Sequence, residues 1–368
     1  MISIVDKFLR KSFVLTKRLL MSSKTISNAI MDVYNANEFT DLYEHEKMLA
    51  DAKRVNTYQK AIAKHVRTED TLVDLGTGSG ILSILASRNR PKKIYAIDHS
   101  DFIEVAREAA RQNGAEEIEF VNVNSRSFNP PEKLDLILHE QIGDDLFDEN
   151  MIDNILDLKD RLLKPGGRIL PGRFELFLEP VALKQEYRVP MAWEMSPQGV
   201  DFRFLQGHPL AERYQSSGYR FRYIEPYSID HLLCDPVPVI SFDLNDPEPA
   251  IDFKIPAQNR IVTDPGVMDG ICLWFRTIFD DEISFDTNPM NGKHSWSNRL
   301  FRTPALSYQR GERIRFEVEM PSPCIANTWL VKMDQIEPVS SEENLPLGVN
   351  GIESGFIPNP ANRKPGLT

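Results

Sequence analysis

The segment Val73-Asp74-Leu75-Gly76-Thr77-Gly78-Ser79-Gly80 constrains the fold more than any other stretch of this chain. It sets three glycines in a tight turn between an apolar run and a helical pattern. Glycine lets the backbone turn sharply and lets a ligand approach it closely. Around this turn the pattern alternates. Thr71–Leu75 reads as a strand, Gly80–Arg88 as a helix, Lys93–Asp98 as a strand and Phe102–Gln112 as a helix. Ile118–Val123 and Leu134–Leu138 read as strands, and Met151–Leu163 as a helix ended by a turn at Lys164-Pro165-Gly166-Gly167. Arg168–Leu170 starts a further strand. Strand–helix alternation with short links predicts a mostly parallel sheet covered by helices.

Beyond Pro171 the helical periodicity fades. Glu175–Leu178, Val237–Phe242, Ile271–Ile278, Arg313–Val318 and Thr328–Val331 alternate instead, separated by Pro, Gly, Asn and Asp, which predicts antiparallel β structure. Glu186–Tyr227 is rich in aromatics and Arg, has little periodicity, and reads as an inserted excursion. Trp193, Trp274 and Trp329 read as packing residues of the β region or the excursion. Residues 346–368 are rich in Pro, Asn and Gly and read as an extended tail. The first 30 residues carry six Lys or Arg against the single acid Asp6, with Val5, Phe8, Leu9 and Phe13 at helical spacing. That segment fits a helix packed on its own protein, an amphipathic arm, a membrane-surface helix or a transit peptide.

Across 368 residues the net charge is −11. An acidic balance argues against a general nucleic-acid binder, which needs a basic face to displace counterions. It is compatible with a cationic substrate. No apolar run reaches the ~18 residues of a membrane span. Cys234, Cys272 and Cys324 are scattered and odd in number, so they form neither a disulfide framework nor a metal cluster; they read as reduced and buried in a cytoplasmic protein. The seven histidines show no metal-ligand spacing, and no metal is expected.

The glycine spacing is G-x-G-x-G with Asp74 two residues upstream, not the G-x-G-x-x-G of dinucleotide binders. It resembles motif I of S-adenosylmethionine (SAM) methyltransferases, which implies SAM as cofactor and a Rossmann-like α/β domain. Asp98 ends the next strand, where an acid accepts hydrogen bonds from ribose hydroxyls. Farther along, the strand Leu134–Leu138 runs into Glu140, and Glu149 follows nine residues later at the mouth of a helix. Two carboxylates on one loop at the carboxyl end of the sheet can grip a planar cation by bidentate hydrogen bonds, and a guanidinium matches best.

Together these features resemble the protein arginine methyltransferase family, whose S-E-(8 residues)-E hairpin holds the substrate guanidinium. His45-Glu46-Lys47-Met48-Leu49-Ala50-Asp51-Ala52-Lys53-Arg54 resembles the family's H-E-x-M-L-x-D-x-x-R helix. By that match Arg54 binds the SAM carboxylate, His45 lines the cofactor and Met48 packs beside the acceptor nitrogen. Met151 matches a second methionine that crowds the acceptor, and Leu170-Pro171 the strand end before a β-barrel. The resemblance also implies Asp74, Gly76, Gly78, Gly80, Asp98, His99 and Ser125 as cofactor residues. It covers about residues 39–180 and reappears near 270–302. The implied organisation is an N-terminal helical arm over 1–38, a SAM-binding domain over 39–171, a β-barrel-like domain over 172–345 with a dimerisation arm at about 186–227, and the tail over 346–368. A homodimer follows from the same resemblance, with Trp193, Phe202, Phe204, Tyr214, Tyr219 and Phe221 as arm anchors.

The chain departs from the family at several points. The T-H-W loop reads His294-Ser295-Trp296, with the histidine displaced by one position. In the family that histidine pairs with the helix aspartate, here Asp51. Either His294 reaches Asp51 through a local backbone adjustment or Ser295 replaces it. The E-W-M-G signature reads Glu140-Gln141-Ile142-Gly143, and the N-terminal Y-F-x-x-Y pattern is reduced to Asn35–Phe39. The expected activity is methyl transfer from SAM to arginine, free or in a peptide or protein, with Glu140 and Glu149 catalytic, Asp51 and His294 as a secondary pair, and Trp296 as an acceptor-pocket wall. The alternatives are a methyltransferase for another guanidino or amino metabolite and a non-catalytic SAM-binding scaffold.

Overall fold

A computed structural model describes residues 41–216 and 221–333 of the chain. The expected N-terminal helix, the Asn35–Phe39 pattern, Tyr219, the Tyr214 side chain and the tail lie outside the described residues.

Two helices open the described part, α1 (Leu42–Ala50) and α2 (Ala52–His65), with Asp51 capping the second. Helix α2 buries Tyr58, Ala61 and Ile62, spaced i, i+3 and i+4, against the sheet edge. There follow β1 (Thr71–Leu75), α3 (Ile81–Ser87), β2 (Lys93–Asp98), α4 (Ile103–Gln112), β3 (Glu119–Asn122), β4 (Leu134–His139), α5 (Met151–Leu162) and β5 (Leu163–Leu170). The five strands pair in parallel in the order β3-β2-β1-β4-β5. Strand β1 is buried at every position, as expected for the centre of a sheet covered on both faces. The chain winds outward from β1 to β3 and then crosses to β4 on the other side of β1. Ligands of α/β proteins bind at such a switch point, beyond the carboxyl ends of the strands.

The anticipated turn at Lys164–Gly167 is instead part of β5. Leu134 pairs with Leu163 and Leu136 with Arg168, so the proline and glycines are absorbed as a register shift. Gly166, at φ +77°, supplies the left-handed residue that the irregularity needs.

The second half is antiparallel, as its alternation predicts. Strand β6 (Arg173–Leu183) leads to α6 (Pro209–Ser216), β7 (Phe221–Ile224), β8 (Ile229–Leu232), β9 (Ile240–Asp243), β10 (Ile255–Ile261), β11 (Gly266–Ile278), β12 (Ser284–Asp286), β13 (Asn298–Tyr308), β14 (Arg313–Glu319) and β15 (Leu330–Met333). One sheet runs β7-β13-β11-β6-β8, with β12 on β11 and β9 on β6; a second runs β10-β14-β15. They form a barrel-like body whose hydrogen bonding does not close, joined by the single bridge of Cys234 to Val262. The excursion is shorter than its composition suggests. Phe221 belongs to β7 in the sheet, where Arg299 stacks on its ring at 3.7 Å, so it is not an arm anchor. Cys234 and Cys272 are buried as expected, whereas Cys324 is only partly so. One hydrophobic cluster runs from α2 through both sheets to Val331, so the two halves share a core.

Candidate active site

The glycine turn after β1 is built from below. The Asp74 carboxylate accepts from Thr77 Oγ1 and Ser83 Oγ, each at 2.7 Å, and from Ser83 N at 3.1 Å. It fastens the turn to the first residues of α3 and does not line the cleft, which corrects its expected cofactor contact. Burial pushes its carboxyl up to about 6. Gly80 also stays out of the cleft. At φ +79° it caps α3, and a Cβ there would stand 3.1 Å from Ala106, so its role is close packing against α4.

Gly76 and Gly78 do face the cleft. Gly78, at φ +49°, donates its N–H to Asp98 at 2.9 Å, and a Cβ there would lie 2.9 Å from the His45 ring. That ring stacks on Phe102 at 3.6 Å. The other Asp98 oxygen accepts from Ser100 N and Oγ, which fixes the carboxylate beside the turn. His45, Met48, Arg54, Asp98 and His99 share the cleft, whose volume is about 290 Å³. The cradle fits a nucleoside ligand: two glycines on which the cleft-lining Gln141 and His45 side chains pack closely, and a fixed acid at the end of β2. Ser125 lies elsewhere, in a short turn after β3 where its carbonyl accepts from Arg161. Met151 is fully buried in the core at the start of α5, so it does not crowd the acceptor.

The opposite wall is the loop between β4 and α5. Glu140, Asp144, Asp148 and Glu149 line the cleft from it. Leu146, Glu149 and Asn150 adopt left-handed conformations at φ +70°, +70° and +56°. Such backbone persists only where surrounding contacts over-determine it. Those contacts come from far along the chain. Trp296 donates its ring N–H to Ile142 O at 2.6 Å, and Ser297 N donates to Asp144 at 2.9 Å. Arg299 Nε donates to Asp145 at 2.6 Å, while Arg299 Nη2 donates to the Tyr223 hydroxyl at 2.6 Å. Asp145 and Arg299 are almost wholly buried. Behind the loop, Arg126 donates to Asn154 at 2.8 Å, and Asn154 donates to Gln141 at 3.3 Å.

Burial dominates the electrostatics of this wall. It pushes the Glu140 carboxyl up to about 7, with the Arg54 guanidinium opposing it. Burial first, then Asp148 and Glu140, hold Glu149 well above the usual carboxylate range. Asp148 is pushed up to about 8 and Asp144 to about 6, again chiefly by burial. Arg54 donates to Glu140, and its guanidinium lies 5.4 Å from the centre of the Trp296 ring.

Comparison with known proteins bears on the fold that carries this cleft. Residues 56–171 match the profile of ribosomal protein L11 methyltransferase (PrmA). Protein arginine N-methyltransferase 6 of Danio rerio is 24% identical over 325 residues, covering 85% of this chain and 92% of that protein. Protein arginine N-methyltransferase PRMT10 of Oryza sativa subsp. japonica is 35% identical over 147 residues, 39% of this chain and 38% of that one. The chain is thus similar to protein arginine N-methyltransferases over most of its length. The fold agrees as well. The crystal structure of protein arginine methyltransferase 10 from Arabidopsis thaliana superposes with a TM-score of 0.61 at 24% identity, over 76% of this chain and 88% of that one. The Trypanosoma brucei PRMT1 enzyme–prozyme complex with AdoHcy gives 0.62 at 23% identity, over 76% and 89%.

In this site the displaced histidine does not recover its place. Asp51 accepts from Ser295 N at 2.8 Å with one oxygen and from Arg54 N at 3.0 Å with the other. Ser295 replaces the histidine through its backbone rather than its hydroxyl. His294 is buried outside the cleft, where burial lowers its pKa and the Trp296 and Thr287 backbone and the Asp51 charge oppose that shift. The Asp51–His294 pair therefore does not form. Tyr58, Ser100, Asp145 and Arg299 support the site and carry no local sequence signal. For Arg299 one signal existed: an arginine in a buried strand demands an acid.

Proposed function

We propose that this protein transfers a methyl group from S-adenosylmethionine to a guanidino nitrogen of arginine, with Glu140 and Glu149 clamping the guanidinium. The observation that carries the reading is the shared cleft: two half-buried carboxylates on one strained loop line it together with Gly76, Gly78 and Asp98. When bound, S-adenosylmethionine supplies an electrophilic methyl group on a sulfonium. Asp98 would accept from its ribose hydroxyls, Gly76 and Gly78 leave room for it, and Arg54 is the cation available for its carboxylate.

The chain's own residues do the rest. A protonated guanidinium has a delocalised lone pair and is a poor nucleophile. Glu140 and Glu149, once ionised, draw positive charge onto the nitrogens they hold and free the third for attack. That attraction strengthens as charge develops in the transition state. Trp296, pinned by its hydrogen bond to Ile142 O, walls the pocket and limits how the acceptor turns. A carboxylate of the same loop takes the proton, since His294 lies outside the cleft. Asp144, and Asp148 once an entering cation ionises it, add negative charge around the clamp. They favour an acceptor with further positive charge, such as the α-ammonium of free arginine or basic residues flanking a peptide arginine.

Labelled S-adenosylmethionine with free L-arginine and arginine peptides in parallel, products read by mass spectrometry, tests the reading. Methylarginine from either acceptor supports it. Cofactor binding with no transfer to any arginine sinks it and leaves a methyltransferase for another acceptor or the non-catalytic scaffold.

A further inference from the structure

A second cavity, of about 430 Å³, shares no lining residue with the first. It lies between β7, β13 and the start of the excursion. Its polar wall is Arg188, Arg222, Arg302, Thr303, Asp269 and Glu194. Both acids are committed. Asp269 accepts from Arg188 Nε and from Leu183 N, each at 2.8 Å, and Glu194 accepts from Met191 N at 2.7 Å. Arg188 is thereby neutralised. Arg222 and Arg302 are not. Arg222 donates to Tyr187 O at 3.0 Å, and Arg302 to Val189 O at 2.7 Å, so each is held by carbonyls and neither by a carboxylate.

The strand register brings these two cations together. Arg222 pairs with Leu300 across β7 and β13, so Arg302, two residues on, projects from the same face beside it. Arg222 Nε is buried with no partner, and so is Thr303 Oγ1, on a side chain that is 5% exposed. Thr303 lies where β13 shifts register on β11, between Arg302 and Leu306. The lowered pKa of Arg222, from burial and then from Arg302 with Asp269 opposing, agrees with two guanidinium groups held close together. Three arginines against two carboxylates leave the cavity lining net positive, with Arg222 and Arg302 held by carbonyls alone, and that is the composition of an anion receptor.

We propose that this cavity binds an oxyanion group, phosphate or carboxylate, between Arg222 and Arg302 with the Thr303 hydroxyl as a further donor. The test is calorimetric titration of the whole protein with inorganic phosphate and with malonate, against sodium chloride at matched ionic strength. One saturable site for at least one of the two is expected, and the ion that binds identifies the source as phosphate or carboxylate. Arg222→Gln should weaken binding at least about tenfold, the scale of a lost charge-assisted hydrogen bond, and Thr303→Val about fivefold. The valine variant keeps volume and shape, so it decides the matter if the glutamine variant fails to fold. No saturable binding of either ion, or equal affinity in wild type and the folded variants, overturns the proposal.

Discussion

With its carboxyl pushed up to about 7, Glu140 is close to half-ionised at neutral pH, and burial and the neighbouring acids hold Glu149 well above the usual carboxylate range. A guanidinium entering between them needs both ionised. Acceptor binding at pH 7 should therefore release protons, seen as a binding enthalpy that varies with the ionisation enthalpy of the buffer. For the same reason kcat/KM should rise with pH through about 7, and a flat profile from pH 6 to 8 would contradict the clamp. Glu149→Gln should lower kcat by about 10²–10³-fold while cofactor binding is retained. The two glutamates were legible in the sequence because their spacing is local. The displaced histidine was legible as a question, and its answer required the geometry of Asp51.

At the scale of elements, the loop between β4 and α5 depends on partners from β7 and β13. Arg299 and Asp145 are 154 residues apart in sequence, so no local pattern announces them. Arg299→Leu leaves Asp145 buried without its cation and should destabilise the protein by about 3–5 kcal/mol, measurable by denaturant unfolding. A side chain at Gly143 would overlap the Asp148 carboxylate. Gly143→Ala should thus fold yet lose methyl transfer, with little change in cofactor affinity. The strands β1 and β2 were read to the residue because buried parallel strands are continuous apolar runs. Strand β13 was not, because Arg299, Arg302 and Pro304 interrupt its alternation and are accommodated only by partners and a register shift.

For the whole molecule, the raised acids set a pH dependence of stability. Glu140 and Glu179 near 7 and Asp148 near 8 bind protons more tightly folded than unfolded. Their contribution is full below about pH 4, the unfolded range, and is lost as pH rises through 7 to 8. Without ligand, Tm should fall from pH 5 to pH 8, and less steeply in Glu140→Gln. The excursion exposes Val200, Phe204 and Leu210. We propose that they meet a second copy of the chain. Phe204→Asp with Leu210→Asp should then convert a dimer to a monomer in sedimentation equilibrium, whereas a wild type that sediments as a monomer would refute the dimer.

The Asp145–Arg299 pair also decides how this protein can be cut and recombined. The line near Pro171 looks like a natural place to divide the chain, since helices give way there to antiparallel strands. A fragment ending there keeps the glycine turn and both glutamates, yet strands a buried aspartate and removes the tryptophan that pins the loop. The parallel-sheet half is consequently not a portable cassette. Shuffling it onto another β body would succeed only if the new body brings an arginine and an indole to the same two places.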